Sequence, residues 1–358
     1  MMTVEFQSSK TSFSFKAFET ARGARIFRLP LNVFPDFWAY AYLVLVDDLI
    51  VLIDTGSGFG RSNAHLEAGF EQAGSALGRK IRLEDLTYIF ITHGHIDHFG
   101  GLVFLRERTK AQVGVHELDL GILTNYEQRL AIAEKKLRAY LIEAGVGGNK
   151  IEDFLNLYRV NKVLFHSTQV DFTYESSQMR LEPFEMLHVP GHCAGHVVIR
   201  LHDILFSGDH VLARITPHQS PESLTLFTGL GHYLDSLAQL EMWVGNPSLT
   251  LAGHDDPIPD LPSRLAEIRS AHAARLERTL QFLTEAHTIL EVSKELFGKV
   301  TGYNTLLAIE EAGAHVEYLH QRGRLRIENM AEIESSETPL ITYFRCVDQL
   351  GVKEPGNT

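Results

Sequence analysis

Five short apolar runs in this chain end in a histidine or an aspartate. They read LIVLIDTG (49–56), LTYIFITHGHIDH (86–98), EMLHVPGH (185–192), ILFSGD (204–209) and SLTLAGH (248–254). Runs of this length, rich in β-branched and aromatic residues, read as strands buried on both faces. A helical pattern over 61–78, stopped by Gly78, separates the first run from the second, and LVFLRERT with AQVGVH adds a further helix and strand. Alternation of this kind predicts a layered α/β core. Side chains that follow successive strands of such a core collect along one of its edges, so the pattern predicts both a fold and a site.

The densest run is THGHIDHFGG (92–101), with His93, His95, Asp97 and His98 inside six positions. Imidazole and carboxylate are suitable donors for zinc and its first-row neighbours. His93 and His95 can reach one metal from an irregular turn, and Asp97 and His98 a second. Gly94 permits the tight path, and Gly100 and Gly101 let a helix start close by. His192, Asp209 and His254 supply the remaining donors. Asp54 is expected to orient the loop or its histidines through hydrogen bonds, and His196 to pack or orient. His210, His218 and His232 are possible pocket residues. The other histidines of the chain's 18 are expected to pack or face solvent.

Residues 119–160 change character. YEQRLAIAEKKLRAYLIEAG places Leu130, Ala133, Leu137, Tyr140 and Leu141 at helical spacing, and KIEDFLNLY follows as a second helix. They read as a helical insertion capping a site. Strand patterns return over 162–210, beginning with KVLFHS and MRLEPFEMLHVP. YLDSLAQLEMWVG is a helix. After the Pro-rich PIPDLP (257–262) come three helices and RLRIEN, a strand or wing. The expected division is 1–262 for the metal-bearing unit, with its insertion at about 119–160, and 263–358 for a small helical domain.

The net charge of −12 counts against a default role in binding nucleic acid or an anionic membrane. Over 263–328, nine Lys/Arg balance nine Glu. Two cysteines, Cys193 and Cys346, provide neither a disulfide framework nor a thiolate zinc site. With no apolar leader and no 18-residue apolar stretch, the expected setting is cytoplasmic.

The order of DTG, THGHIDH, PGHCAGH, SGD and GHDD resembles the metallo-β-lactamase superfamily, over roughly residues 24–262. The resemblance implies an αββα sandwich with two metals at one edge. By it, His93, His95 and His192 hold the first metal, Asp97, His98 and His254 the second, and Asp209 bridges them. The C-terminal part resembles the winged-helix-like tail of a subgroup that includes β-lactamase-like endoribonucleases. The insertion departs from that subgroup.

These readings predict a hydrolase with two divalent metals, zinc before manganese or iron. Hydroxide generated there attacks a small ester, thioester or lactone, with Asp97 and Asp209 as catalytic carboxylates. The partner expected is a small-molecule substrate, with a homodimer possible. Alternatives are a phosphodiesterase or endoribonuclease, an iron-dependent sulfur oxygenase, and a ligand-sensing DNA-binding protein. His95 stands where the oxygen-reducing di-iron branch usually carries an acid, and this disfavours that branch.

Overall fold

The structure, a computed structural model, describes residues 14–160 and 165–346. Its first sheet is built from β1 (Lys16–Glu19), β2 (Arg25–Phe34), β3 (Phe37–Val46), β4 (Leu49–Ile53), β5 (Tyr88–Phe90), β6 (Gln112–Val115) and β7 (Phe172–Thr173), in that order. The pairs from β1 to β4 are antiparallel and those from β4 to β7 parallel. The second sheet runs β12 (Leu249–Ala252), β11 (Ile204–Gly208), β10 (Val197–Leu201), β9 (Phe184–His188) and β8 (Arg180–Leu181). The apolar runs FWAYAYLVLV and LIVLI form the hairpin β3–β4, turning at Asp47 and Asp48.

Strand alternation sets the layers. In β3, Tyr40, Tyr42, Val44 and Val46 face the second sheet, where Phe184, Met186, Ile199, Phe206 and Leu251 meet them. Ala39, Ala41 and Leu43 face the other way, onto α1 (Ser62–Leu77) through Leu66, Phe70 and Ala73. The outer face of the second sheet packs Val198 and Leu205 against α7 (Leu230–Val244) and the first half of α8 (Leu261–Phe282). Helix, sheet, sheet and helix thus form an αββα sandwich, with α2 (Ile96–Phe99), α3 (Leu102–Arg106) and α4 (Glu117–Thr124) completing its first half.

The helices of the expected insertion are α5 (Tyr126–Glu143) and α6 (Gly148–Val160). They do not stand alone. Leu137, Tyr140, Leu141, Ile151 and Leu155 share one core with Leu280 of α8, Val292 of α9 (Ile289–Phe297), and Leu306, Ile309 and Val316 of α10 (Tyr303–Gln321). Helix α8 is capped by Asp260, whose carboxylate accepts from Ser263 N–H, and Pro262 lies in its first turn. The division expected after residue 262 falls inside that turn. Beyond α10, RLRIEN forms β13 (Leu325–Ile327), and after the short α11 (Met330–Ser335) it pairs antiparallel with β14 (Tyr343–Arg345).

Two local expectations differ from the structure. MRLEPFEMLHVP is a hairpin of β8 and β9 turning at Glu182 and Pro183, because proline cannot donate to a continuing ladder. Of the strand expected at 162–167, residues 162–164 lie outside the described residues, and 165–167 are not in a strand.

Candidate metal centre

Every donor that follows an apolar run lands on one edge of the sandwich. Asp54 comes directly after β4, His93 and His95 after β5, and Asp97 and His98 on α2. His192 and His196 occupy the β9–β10 loop, Asp209 follows β11, and His254 follows β12. Potential ligand atoms lie within 4.8 Å of one another in three sets here: His93, His95 and His192; His93, His98 and Asp209; Asp97, His98 and His254. Asp209 sits between the first and last sets. Its Oδ1 is 3.5 Å from His98 Nε2, and its Oδ2 is 3.2 Å from His254 Nε2 and 3.8 Å from His192 Nε2. At Gly253, a Cβ would collide with the Asp209 carboxylate, so the β12 loop approaches as closely as glycine allows.

Hydrogen bonds behind the histidines fix which nitrogen faces the cluster. His98 Nδ1–H donates to Asp54 Oδ2 at 2.8 Å. Thr92 donates its N–H and its hydroxyl to the same carboxylate, each at 2.8 Å. The Thr92 oxygen then faces His93 Nδ1 at 3.0 Å, which directs His93 Nε2 inward. His192 Nδ1–H donates to the His218 carbonyl at 2.7 Å, and His254 Nδ1–H to the Trp38 carbonyl at 2.6 Å. Asp209 N–H donates to His196 Nε2 at 3.0 Å, and the His196 ring stacks on His93. His196 therefore backs the cluster rather than facing it.

Burial and charge divide the cluster. Burial holds His93 and His95 well below the usual histidine range and also lowers His192, which disfavours the charged form of all three. Burial also opposes a charged His254, but Asp209 and Asp97 outweigh it and raise this histidine to about 10. Against the same penalty, Asp209, Asp54 and Asp97 hold His98 well above its ordinary value. Burial pushes Asp97 upward, yet His98 and His254 bring it down to about 2. The carboxylates thus hold protons on His98 and His254, and a metal bound there would take the place of those protons. Three buried atoms of the cluster, His98 Nε2, His192 Nε2 and Asp209 Oδ1, have no hydrogen-bond partner among the described residues. Orphaned nitrogens and a carboxylate oxygen at one point fit divalent metal.

A sequence model of the metallo-beta-lactamase superfamily matches residues 39–254, which span every donor. The chain belongs to that superfamily. Metallo-hydrolases are its class, and a probable metallo-hydrolase, YqjP of Bacillus subtilis, is 23% identical over 286 residues, covering 76% of this chain and 85% of that protein. A hydroxyacylglutathione hydrolase of a Shewanella species is 29% identical over 153 residues, covering 40% of this chain and 45% of its own. A metallo-beta-lactamase family protein of Thermus thermophilus, TTHA1429, superposes with a TM-score of 0.69 at 25% identity, over 90% of this chain and 98% of its own.

One organising residue carries no sequence signal. Asp119, at the start of the expected insertion, lies on α4, and its buried carboxylate accepts Gly94 N–H at 2.7 Å and Gly195 N–H at 2.8 Å. It ties the His93–His98 loop to the His192–His196 loop. A Cβ on Gly195 would lie 2.6 Å from the Asp119 carboxyl carbon. His210 is buried beside Tyr233, and His232 pairs with Glu222.

A further buried set, His272, Glu311 and His315, lies between α8 and α10. Glu311 already accepts from Gln219 N–H at 2.7 Å and pairs with Arg275 at 3.3 Å and His218 at 3.4 Å. Two cations on one buried carboxylate leave no charge to receive a third. This set is a polar network joining helices.

Proposed function

We propose that the chain is a hydrolase of a small ester, thioester or lactone, working with two divalent metals, zinc foremost. His93, His95 and His192 would hold one ion, and Asp97, His98 and His254 the other, with Asp209 shared. When bound, such a pair lowers the pKa of a water toward neutrality and polarises the substrate oxygen. The chain's own groups do the rest. Asp54 and Thr92 keep His98 and His93 turned inward. Asp97 Oδ2, 3.3 Å from His254 Nε2, is placed to take up a proton and pass it to the departing alcohol or thiol. Phe37 is 46% exposed, its ring 4.7 Å from that of His254, and it offers an apolar wall beside the cluster.

The observation that carries a carbonyl substrate over a phosphodiester is the pairing of five of the seven arginines between residues 263 and 328. Arg264, Arg269, Arg275, Arg278 and Arg326 pair with Glu267, Glu241, Glu311, Glu295 and Glu328. Guanidinium groups so engaged are not offered to a phosphate backbone. The acyl hydrolysis named in the Shewanella relative points the same way. We read the three helices and ribbon as a winged-helix-like module recruited for structure rather than for nucleic acid, in a chain that acts on a small molecule in the cytoplasm.

The test is a panel: p-nitrophenyl esters, acyl thioesters and lactones against bis(p-nitrophenyl) phosphate and single-stranded RNA, with zinc-loaded protein. Carbonyl substrates should turn over faster. Faster cleavage of the phosphodiesters would reject the proposal and favour a nuclease.

A further inference from the structure

The loop between β11 and α7 passes from the metal centre to α10 and back. At its middle, the His218 carbonyl takes the Nδ1–H of His192 at 2.7 Å. That acceptor decides where the His192 Nε2 lone pair points. Beyond Ser220 Oγ of its own loop, 3.3 Å from Nε2, the His218 side chain is held from α10. Its Nε2 meets Glu310 at 3.2 Å and its Nδ1 meets Glu311 at 3.4 Å, both on α10. The neighbours are held likewise. Gln219 N–H donates to Glu311 at 2.7 Å, Ser220 Oγ to Glu310 at 3.0 Å, and Arg275 of α8 to Thr216 Oγ1 at 2.8 Å. Glu222 and Ser223 N–H groups donate to Glu317 of α10 at 2.6 and 3.0 Å. Three acids of one helix, separated from the loop by about ninety residues of chain, thus fix the residue that orients a metal-facing histidine.

We propose that Glu311, with Glu310 and Arg275, is a positioning residue for the first metal: through His218 it sets the affinity of the His93–His95–His192 group. The C-terminal helices are then a working part of the metal centre. The inference rests on those three histidines being ligands. A histidine ligand binds well only when its other nitrogen has a fixed acceptor, and loss of such an outer partner costs roughly 10–100-fold in metal affinity. A carbonyl freed by a slack loop is a partial loss of that acceptor. The Asp97–His98–His254 group has its own anchors, in Asp54 and the Trp38 carbonyl, and does not depend on α10.

The experiment is competitive titration of full-length metal-free protein with zinc against a chromophoric chelator, resolving two binding steps. His192→Ala assigns the first step. Glu311→Ala and His218→Ala should weaken that step about tenfold or more and leave the other within about twofold. His218→Gln, whose amide still donates to the acids, should restore it. If Glu311→Ala does not fold, Arg275→Gln serves in its place. Unchanged affinities accompanied by a lower melting temperature would reduce Glu311 to packing and overturn the inference. Equal weakening of both steps would overturn it as well. No substrate enters the measurement, so the inference can fail without touching the proposed reaction. A wild-type chain that binds no zinc would instead remove the reading beneath both.

Discussion

Asp209 is the side chain on which His98, His192 and His254 converge. It is buried among three histidines, is held well below the usual carboxylate range by His254 and His98 against the cost of burial, and keeps one oxygen without a partner among the described residues. Asp209→Ala should therefore lower bound metal and turnover together, by on the order of a hundredfold or more, since a ligand matters more than the outer partner whose loss costs roughly 10–100-fold. Elemental analysis beside the ester assay reads both. Normal turnover in that variant would remove Asp209 from the centre. Asp54 poses a finer question. It accepts three hydrogen bonds and contributes no atom to the cluster. Asp54→Asn would place an amide N–H against His98 Nδ1–H or Thr92, so the ring loses its fixed direction. The Asp97–His98–His254 group should then lose roughly 10–100-fold in zinc affinity while the fold persists. A chelator titration showing no change would mean that packing alone holds His98.

Among the elements, α8 and α10 are joined by an imidazole pair: His272 Nδ1 faces His315 Nε2 at 3.2 Å, and both rings are fully buried. Burial holds His272 at about 3 and also lowers His315. A histidine kept neutral in the fold but free to protonate when unfolded, near 6.5, gives stability that is complete above pH 6.5. That stability is lost as pH falls toward 3, at about 1.4 kcal/mol per unit for one such group. Urea unfolding of the wild type should weaken more steeply between pH 6.5 and 4.5 than that of His272→Gln, and parallel slopes would contradict a neutral buried pair. Neither this pair nor Asp119 was legible in the sequence. Strand and helix periods are local, and a donor that ends an apolar run announces itself within a few residues. His93, His98 and Asp209 were readable for that reason. Asp119 matters because it reaches Gly94 and Gly195, and Glu311 because it reaches Gln219 across 92 residues. Such roles are made by tertiary contact and leave no period behind. The eight-residue α4 carries little periodic signal because it makes only about two turns. Helices α5 and α6 were seen, yet their shared core with α9 and α10 could not be, since periodicity names a buried face and not what covers it.

At the scale of the whole chain, two cores meet at one loop. The sandwich holds every donor of the candidate centre, and the helices α5, α6, α9 and α10 form a second core linked to it through α8 and residues 216–223. No helix among the described residues is long and apolar enough to cross a membrane. Because the donors come from the ends of β5, β9, β11 and β12, a centre stripped of metal would leave Asp97 and Asp209 crowded at a single edge, beside histidine nitrogens without a partner among the described residues. Zinc at a thousand times its dissociation constant should stabilise the folded state by about 4 kcal/mol per site, provided the unfolded chain does not bind it. Stripping the metal should return that amount, and the loss should be uneven. In hydrogen exchange, chelation should speed the amides of 92–98, 190–196 and 209–220, because these segments lose their common anchor. Helices α5, α6 and α9 touch no donor, so their protection should stay as it was. Uniform acceleration across both cores would mean that they unfold as one unit. In that case the metal holds the whole molecule together, and α8 couples the cores more tightly than its split packing implies.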